Sequence, residues 1–380
     1  MTDVAVRRDT ARRWLRDNGV YAAIVLLIGY NLIFTDNFAT VANLNTQLVQ
    51  VAPVLIVALG MALVIGTEGV DLSVGSVMAI AAAILPLYLG YGLAPAIGLA
   101  LVAGALCGLL NGTLVAVVGI QPIVATLALL VGGRGLALVF ADGQLKNINN
   151  AELLDLGTGK ASVPLIPLVA AVLAVVAWAL VRHTTVGRTQ VATTGRTVRP
   201  VLLIVCGIGL LLLAVIALST GTRINVPFIV LIAAVLAVLV WFLVRQTTFG
   251  RQLVSVGGNR AASALAGLPV RRVLMTTYVI SGMLAAIAGI IATARLTASD
   301  PSRIGELFEL SAITAVVVGG TPLSGGRVRV LGTVAGALLM QLIAATLIKH
   351  NLPPSTAQIV QAAIIVAAVY LQRSRSGGGQ

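Results

Sequence analysis

Long apolar runs separated by short polar segments make up most of this chain. Many of the runs are close to the ~20 residues that an α-helix needs to cross a bilayer. The predicted spans lie at residues 19–35, 47–66, 73–90, 94–119, 121–141, 164–181, 201–219, 226–244, 273–294, 309–320, 330–347 and 356–372. The segment 309–320 is too short to cross unaided and is predicted to be a half-helix. We therefore expect an all-α integral membrane protein, a polytopic bundle of about 10–12 transmembrane helices with broken or half helices.

Arginines cluster in the polar segments on one side of these spans. The segments 1–17, 182–200 and 245–272 are rich in arginine, and the last carries five arginines and no acidic residue. Basic loops stay in the cytoplasm by the positive-inside rule. We expect cytoplasmic tails at 1–17 and 373–380, with a single transmembrane domain at 18–372 between them.

Composition excludes a soluble globular protein. Hydrophobic residues are 58% of the chain and charged residues 10%, against about 25% charged in ordinary domains. A net charge of +13 would suit a nucleic-acid binder, but membrane topology already accounts for the arginines, so no nucleic-acid partner is expected. Cys107 and Cys206 lie in apolar runs without metal-ligand spacing. No catalytic residue, metal or cofactor is predicted.

The basic segment 245–272 is predicted to contain one short capped helix. Asn259 suits the N-cap position, Gly267 suits the position just after the helix, and Pro269 prevents continuation. Ala262 and Leu265 are three residues apart and give the helix a small apolar face toward the cytosol. The segment is either an ordinary loop with a helical turn or a docking helix for a partner, because so short a helix is marginal alone.

A sequence repeat precedes this helix. LVRHTTVGR at Leu180–Arg188 recurs as LVRQTTFGR at Leu243–Arg251, with seven of nine positions identical and an offset of 63 residues. Only the second copy continues into the capped helix, since Val198 and Pro200 disfavour a helix after the first. We interpret the first copy as a vestigial loop on an inserted helix pair at about 201–244.

Two acidic residues interrupt the apolar pattern in GTEGVDLSVGSV, at Gly66–Val77. A charge at the bilayer centre costs about 2.5–3.5 kcal/mol, so Glu68 and Asp71 are expected near an end of the bundle or a watery cavity. Asp71 is a natural N-cap for the following helix. A glycine-rich, acidic break is also how transporters expose backbone along a polar path. We favour a gating or structural role.

Further polar residues lie in the next two apolar spans. Asn111 precedes a β-branched run, and Gln121, Thr126 and Arg134 lie in the following span. Pro122 and the glycines around Arg134 predict an irregular helix. Arg134 either snorkels to the outer interface or faces a cavity, where it would supply fixed donors to a hydroxyl-rich substrate.

The segment Phe308–Thr333 is rich in glycine around a predicted turn. Arg327 and Arg329 place that turn in the cytoplasm. Glu306 and Glu309 would then lie near the outer end. They are either solvated acids at the rim or contacts for a soluble receptor that delivers substrate.

Four stretches resemble the permease subunits of bacterial ABC sugar importers of the ribose, xylose and galactofuranose type. They are GGN at 257–259 with Ala262, Leu265 and Gly267, GTEGVDLSVGSVMAI from Gly66, QPIVATL with GRGLA, and FELSAI with GGTPLSGGRVRV. The second resembles the family signature GGIDLSVG, with Glu68 in place of a glycine. The last resembles ELDAI with GGTSLFGGRG, with Ser311 in place of an aspartate. The resemblance covers about residues 45–372.

The resemblance implies three sets of functional residues. An ATPase-coupling surface would comprise Gly257, Gly258, Asn259, Arg260, Ala262, Leu265 and Gly267. Arg260, Ala261 and Ala264 depart from the family, which often has acidic residues and then a basic one there. A translocation path or gate would comprise Asp71, Ser73, Asn111, Gln121, Thr126 and Arg134. Glu306 and Glu309 would form the outer rim that contacts the receptor.

The resemblance also implies the partners: ABC ATPase subunits, a second permease copy or paralogue, an extracytoplasmic sugar-binding protein, a sugar substrate and the lipid bilayer. Such a subunit is a multi-pass protein of the bacterial inner membrane and not an enzyme. The chain has no P-loop, because Gly159-Lys160 follows Leu154 where the motif needs glycine. The first LVRHTTVGR copy could alternatively be a second ATPase contact.

Two other classes remain open from the residues alone. An ion-coupled secondary transporter of a small polar solute needs buried acids at a midplane site and an inverted repeat. The repeat found here is short, parallel and confined to 178–258. A structural or channel-forming membrane protein would need no docking helix.

Overall fold

The computed structural model describes residues 3–164 and 223–353, together with residues 355–356, 359–360, 362–364 and 366. Its helices are α1 (Asp3–Phe34), α2 (Val41–Gly66), α3 (Val74–Tyr88), α4 (Leu93–Thr113), α5 (Pro122–Phe140), α6 (Ala151–Thr158), α7 (Phe228–Gln246), α8 (Thr248–Gly258), α9 (Arg260–Leu265), α10 (Val270–Leu296), α11 (Phe308–Val318) and α12 (Val330–Lys349). A 3-10 turn at Leu89–Tyr91 extends α3, and a π-helical turn at Leu114–Val118 extends α4. Two antiparallel ribbons pair β1 (Lys146–Asn147) with β4 (Ala298–Ser299) and β2 (Lys160–Pro164) with β3 (Arg223–Pro227).

Seven helices in the described part are long and apolar enough to cross a membrane. They are α2, α3, α4, α5, α7, α10 and α12, with the extensions of α3 and α4 included. The apolar half of α1, Gly19–Phe34, and the half-helix α11 are shorter. The predicted all-α polytopic fold is confirmed. The predicted spans at 164–181 and 201–219, and most of the one at 356–372, lie outside the described residues.

Helices α2 and α10 form the centre of the bundle. The part of α2 from Val51 to Gly66 is almost wholly buried, and α10 packs against α2, α3 and α4. Helices α4, α5 and α7 expose most of their apolar side chains, including Leu106, Val131 and Val238. An apolar exposed surface is expected where lipid is the solvent.

Small residues bring α4 and α10 into close contact. Gly104, Gly108 and Gly112 recur every fourth residue on one face of α4. A Cβ at Gly108 would overlap the carbonyl oxygen of Tyr278 on α10, and one at Gly104 would lie 2.6 Å from Gly282 O. This small-xxx-small spacing lets two helix backbones pack directly, which replaces the hydrophobic driving force that lipid cannot supply.

Two interruptions of regular helix reach into the bundle. Residues 67–73 separate α2 from α3, and residues 300–307 separate β4 from the half-helix α11. The second break packs against the first turn of α3, directly after the first break, because a Cβ at Gly75 would overlap the carbonyl oxygen of Gly305. Irregular backbone at membrane depth is tolerated only where protein or a watery cavity surrounds it. The functional residues lie around these breaks.

The prediction of an irregular helix around Pro122 and Arg134 was wrong. Helix α5 is regular from Pro122 to Phe140, because Pro122 occupies the first helical turn, where a missing N–H costs nothing. Residues 3–17 are helical and continuous with the first apolar span, and their assignment as a cytoplasmic tail stays a prediction. The span predicted at about 226–244 is confirmed as α7, which follows a strand that pairs with residues 160–164. No local pattern signals a ribbon between segments so distant in sequence.

Candidate functional site

The short helix α9 is closed at both ends by hydrogen bonds from its own sequence. Asn259 Oδ1 accepts from the Ala262 N–H at 2.8 Å. At the other end, Gly267 N–H donates to Ala264 O, Leu268 N–H donates to Ser263 O, and Gly267 has φ +77°. These two bonds define a Schellman motif. The predicted N-cap and terminating glycine are confirmed.

Helix α9 presents its apolar residues outward. The Leu265 side chain is 91% exposed, and Ala262 and Ala266 are also exposed, whereas Ser263 is buried against the bundle. Arginines 251, 271 and 272 are exposed in the flanking segments. An apolar tip on a fixed helix with exposed cations beside it has the features of a docking surface.

A second helix in the basic segment, which the sequence reasoning missed, anchors α9. Helix α8 begins with Thr247 Oγ1 accepting from the Gly250 N–H at 3.2 Å. Near its end, a Cβ at Gly257 would overlap the carbonyl oxygen of Gly66 and lie 2.8 Å from Gly326 N. Gly326 N–H donates to the same Gly66 oxygen at 3.1 Å. Glycine at 257 thus lets α8 rest on the end of α2.

Arg260 joins α9 to the break between α2 and α3. Its Nη2 donates to the carbonyl oxygen of Thr67 at 2.8 Å, while Thr67 Oγ1 donates back to Val64 O. Arg260 was expected at the ATPase surface, but its guanidinium is turned inward. A movement of α9 would therefore shift the break at residues 67–73, which contains Asp71.

Asp71 lies at the centre of a buried hydrogen-bond network. Its Oδ1 accepts from Ser73 N–H at 3.1 Å and Ser73 Oγ at 2.6 Å, and its Oδ2 accepts from Ser281 Oγ at 2.9 Å. Asn111 Nδ2 donates to Ser73 Oγ at 2.8 Å. The network thus joins the break to α4 and α10. Asp71 is not the N-cap of α3, because Ser73 occupies that position.

Glu68 has an unusual backbone conformation within the same break. Its side chain is exposed and its φ is +63°, in the left-handed region that favours glycine. The family signature has glycine at this position. The departure therefore stores local strain next to the Thr67 carbonyl that Arg260 contacts.

Replacing Glu68 with glycine is expected to stabilise the protein. Glu68→Gly relieves the left-handed strain and should raise the free energy of unfolding by about 1 kcal/mol. Glu68→Ala removes the carboxylate but keeps the strain, so its melting temperature should not rise. Thermal melting of the purified proteins in detergent measures both. Equal stabilisation by the two variants would show that the charge, and not the backbone, is responsible.

The remaining residues predicted for the path do not converge on one cavity. Thr126 is fully buried and its Oγ1 donates to Val70 O at 3.2 Å, next to Asp71. Gln121 is exposed at the N-cap position of α5, away from the network. Arg134 is half-buried, and its Nη1 donates to Pro301 O and Ile304 O, both at 2.7 Å. It fastens α5 to the second break.

The expected rim position of Glu309 does not match the structure. Glu306 is exposed, but Glu309 is 9% exposed and its Oε2 has no hydrogen-bond partner. A Cβ at Gly75 would lie 2.7 Å from that oxygen. The physical reason is the break at 300–307, which packs against the first turn of α3 at Gly75 and brings the start of α11 with it. A linear reading of the sequence places Glu309 at the surface.

Some residues of the site carry no local sequence signal. Ser281 lies 210 positions from Asp71, and Thr67 lies 193 positions from Arg260. Gly326 was noted only as part of a turn. Small polar residues inside apolar spans were the one signal that could have identified Ser281.

The regular spans, the internal breaks and the fixed exposed helix define the membrane-spanning component of a transport system. A family model described as "Branched-chain amino acid transport system / permease component" matches residues 43–197 and 202–369. The chain belongs to this family of permease components. No solved structure matches it.

The relatives are named as sugar permeases. The galactofuranose transporter permease protein YtfT of Escherichia coli strain K12 is 36% identical over 86% of this chain and 78% of its own length. The ribose import permease protein RbsC of the same strain is 30% identical over 98% of both chains. The xylose transport system permease protein XylH of that strain is 33% identical over 93% of this chain and 91% of its own. These relatives give no support to an ion-coupled secondary transporter.

Proposed function

We propose that the chain is the permease subunit of a bacterial ABC importer that carries a monosaccharide across the inner membrane. ATP hydrolysis takes place in separate subunits that dock on the segment Asn259–Gly267. A second permease copy or paralogue completes the membrane channel, and an extracytoplasmic binding protein delivers the sugar. The names of the relatives support the substrate class, and the family supports the division of labour.

The observation that carries this proposal is the exposed helix α9 and its direct connection to the buried break. Leu265 is 91% exposed on a helix whose ends are both closed. Arg260 connects the same helix to Thr67, and Asp71 connects the break to Ser281 on α10. A force applied to α9 would thus reach the packed centre of the bundle. Channels and structural membrane proteins need no such connection.

The orientation follows from the positive-inside rule. The end that holds α8, α9 and the Gly326 turn also carries exposed Arg251, Arg271 and Arg272. We propose that this end and both termini face the cytoplasm. Glu306, exposed in the second break, remains the candidate for receptor contact, whereas buried Glu309 is not placed to reach a soluble protein.

Uptake by the reconstituted complex tests the function. The chain, co-expressed with the ATPase and binding protein encoded beside it, is placed in proteoliposomes with ATP on the ATPase side. Radiolabelled D-ribose, D-xylose and D-galactose are supplied in turn with the binding protein. We expect ATP-dependent accumulation of at least one of them. Accumulation driven by an ion gradient without ATP would contradict the proposal.

A further inference from the structure

A groove runs between α2, α11 and α12 on the side of α2 away from the Asp71 network. It has a volume of about 110 Å³ and is lined by Val51, Val54, Ser311, Ala337, Met340, Gln341, Ile343 and Ala344. Enclosed sites for small molecules occupy ~300 Å³ or more. The groove is therefore one wall of a larger space, open on one side.

The groove lies at the depth where a transported solute must pass. Gln341 is eight residues before the end of α12 at Lys349, or about 12 Å along the helix. Ser311 is in the first turn of the half-helix α11, which begins inside the bundle. Gln341 thus lies near the middle of α12, about 17 Å along the helix from its first residue, Val330.

Amide side chains concentrate on this face. Gln341 Nε2 donates to Gln50 Oε1 at 2.7 Å and so joins α12 to α2 across the groove. Gln47, Gln50, Val51 and Val54 share one face of α2 by helical spacing. Gln47 is 9% exposed and its Nε2 has no hydrogen-bond partner. Polar side chains inside apolar spans are costly and mark pathways for polar solutes.

The polar residues at the other break cannot offer comparable contacts. Asp71, Ser73 and Asn111 are each about 99% buried and bond mainly to one another, and Thr126 bonds to backbone. By contrast, Gln50 is exposed and Gln341 is half-buried. Each carboxamide has two donor hydrogens and an acceptor oxygen, which suits a neutral ligand whose hydroxyl groups both donate and accept.

We propose that Gln341, which lines the groove, and its hydrogen-bond partner Gln50 bind hydroxyl groups of the transported sugar, and that the groove is one wall of the sugar path. This inference rests on the proposed function. It places the residues that contact the sugar on α2 and α12, apart from Asp71 and its neighbours. The Asp71 network then serves as the connection between α9 and the bundle, while the glutamine face meets the solute.

Cysteine labelling tests whether water and the transported sugar reach the groove. Gln341→Cys and Leu338→Cys are made in a chain whose Cys107 and Cys206 are replaced by alanine. Leu338 is exposed on α12 at similar depth but does not line the groove. We expect a charged, membrane-impermeant thiol reagent to modify Gln341→Cys and not Leu338→Cys. The transported sugar should slow the modification.

Equal reactivity of the two cysteines, or modification of Gln341→Cys that no transported sugar slows, would overturn the proposal. If both cysteines react equally, water reaches the groove and the rest of α12 alike. If neither reacts, the open side of the groove faces lipid. Because both cysteines are on one helix, poor folding would affect them together, and co-purification of the ATPase subunit checks that each variant assembles.

Uptake by glutamine variants gives the second readout. Gln341→Leu is expected to lower sugar uptake about tenfold, the factor that one lost hydrogen bond of about 1.4 kcal/mol corresponds to. Gln144→Leu makes the same change at an exposed position of an outer loop and should transport like the wild type. Full uptake by Gln341→Leu would contradict the groove assignment while leaving the importer function intact. Absence of uptake in the wild type would instead contradict the function.

Discussion

Gly257→Ala is expected to abolish ATPase co-purification, although it adds only one methyl group. The new Cβ would overlap the carbonyl oxygen of Gly66 and lie 2.8 Å from Gly326 N, so α8 must move off the end of α2. Overpacking against backbone costs about 1–3 kcal/mol, or roughly a 5- to 150-fold loss of the docked geometry. Helix α9 follows α8 directly and would lose its position with it.

Gly98→Ala on α4 is the matched control for this prediction. A Cβ there would meet nothing within 4 Å, and Gly98 does not have a positive φ and belongs to none of the functional sets. It should retain the ATPase and ATP-dependent uptake. If both variants retain the ATPase, the contact between α8 and α2 does not position the docking helix. Size-exclusion profiles check that both variants are monodisperse.

Asp71→Ala is expected to destabilise the bundle by about 2–4 kcal/mol, because two buried hydroxyl groups lose their shared acceptor. Ser73 and Ser281 both donate to this carboxylate, and Asn111 donates to Ser73. Thermal or denaturant unfolding in detergent measures the loss. Uptake should fall as well, because the break would no longer be fastened to α10.

Two variants serve as controls for Asp71→Ala. Asp71→Asn keeps one acceptor oxygen for Ser73 and should lose less stability than Asp71→Ala. Asp142→Asn removes the charge of a carboxylate that is 81% exposed and lies 4.0 Å from Lys146 Nζ, and asparagine tolerates the φ of +56° there, so this variant should melt like the wild type. A melting temperature for Asp71→Ala equal to that of Asp142→Asn would contradict the role given to the network.

Short-range features of the fold were predictable from the sequence. The spans follow from apolar length, and the ends of α9 follow from Asn259 and Gly267, because caps depend on residues within one or two turns. The half-helix α11 was predicted from the short apolar run before its glycine turn. Each of these is specified by fewer than about 25 neighbouring residues.

Long-range features were not predictable. The burial of Glu309 depends on how residues 300–307 turn back against α3, and the break is held by Arg134 from another helix. The role of Gly257 depends on Gly66, which lies far away in sequence. The pairing of Gln50 with Gln341 at the groove depends on the packing of α2 against α12, which neither helix sequence indicates. Such contacts arise from helix packing, which hydrophobic length does not determine.

Both internal breaks are held by contacts with neighbouring helices. In the first break, Thr67 O accepts a hydrogen bond from Arg260 and Asp71 accepts one from Ser281. The break is therefore bonded to both the docking helix α9 and α10. The second break rests on Gly75 and is held by Arg134. A shift of the first break would therefore be passed to α11, whose first turn includes Ser311 at the groove.

The most direct test of the account is whether a separate ATPase binds through Leu265. The chain is co-expressed with the neighbouring ATPase and purified as wild type, Leu265→Gln and Leu265→Met. Glutamine is a good helix former, so it removes the apolar contact without unwinding α9, and methionine keeps the contact. We predict that the wild type and Leu265→Met retain the ATPase and that Leu265→Gln loses it. Retention by Leu265→Gln, or no ATPase with the wild type, would contradict docking on α9.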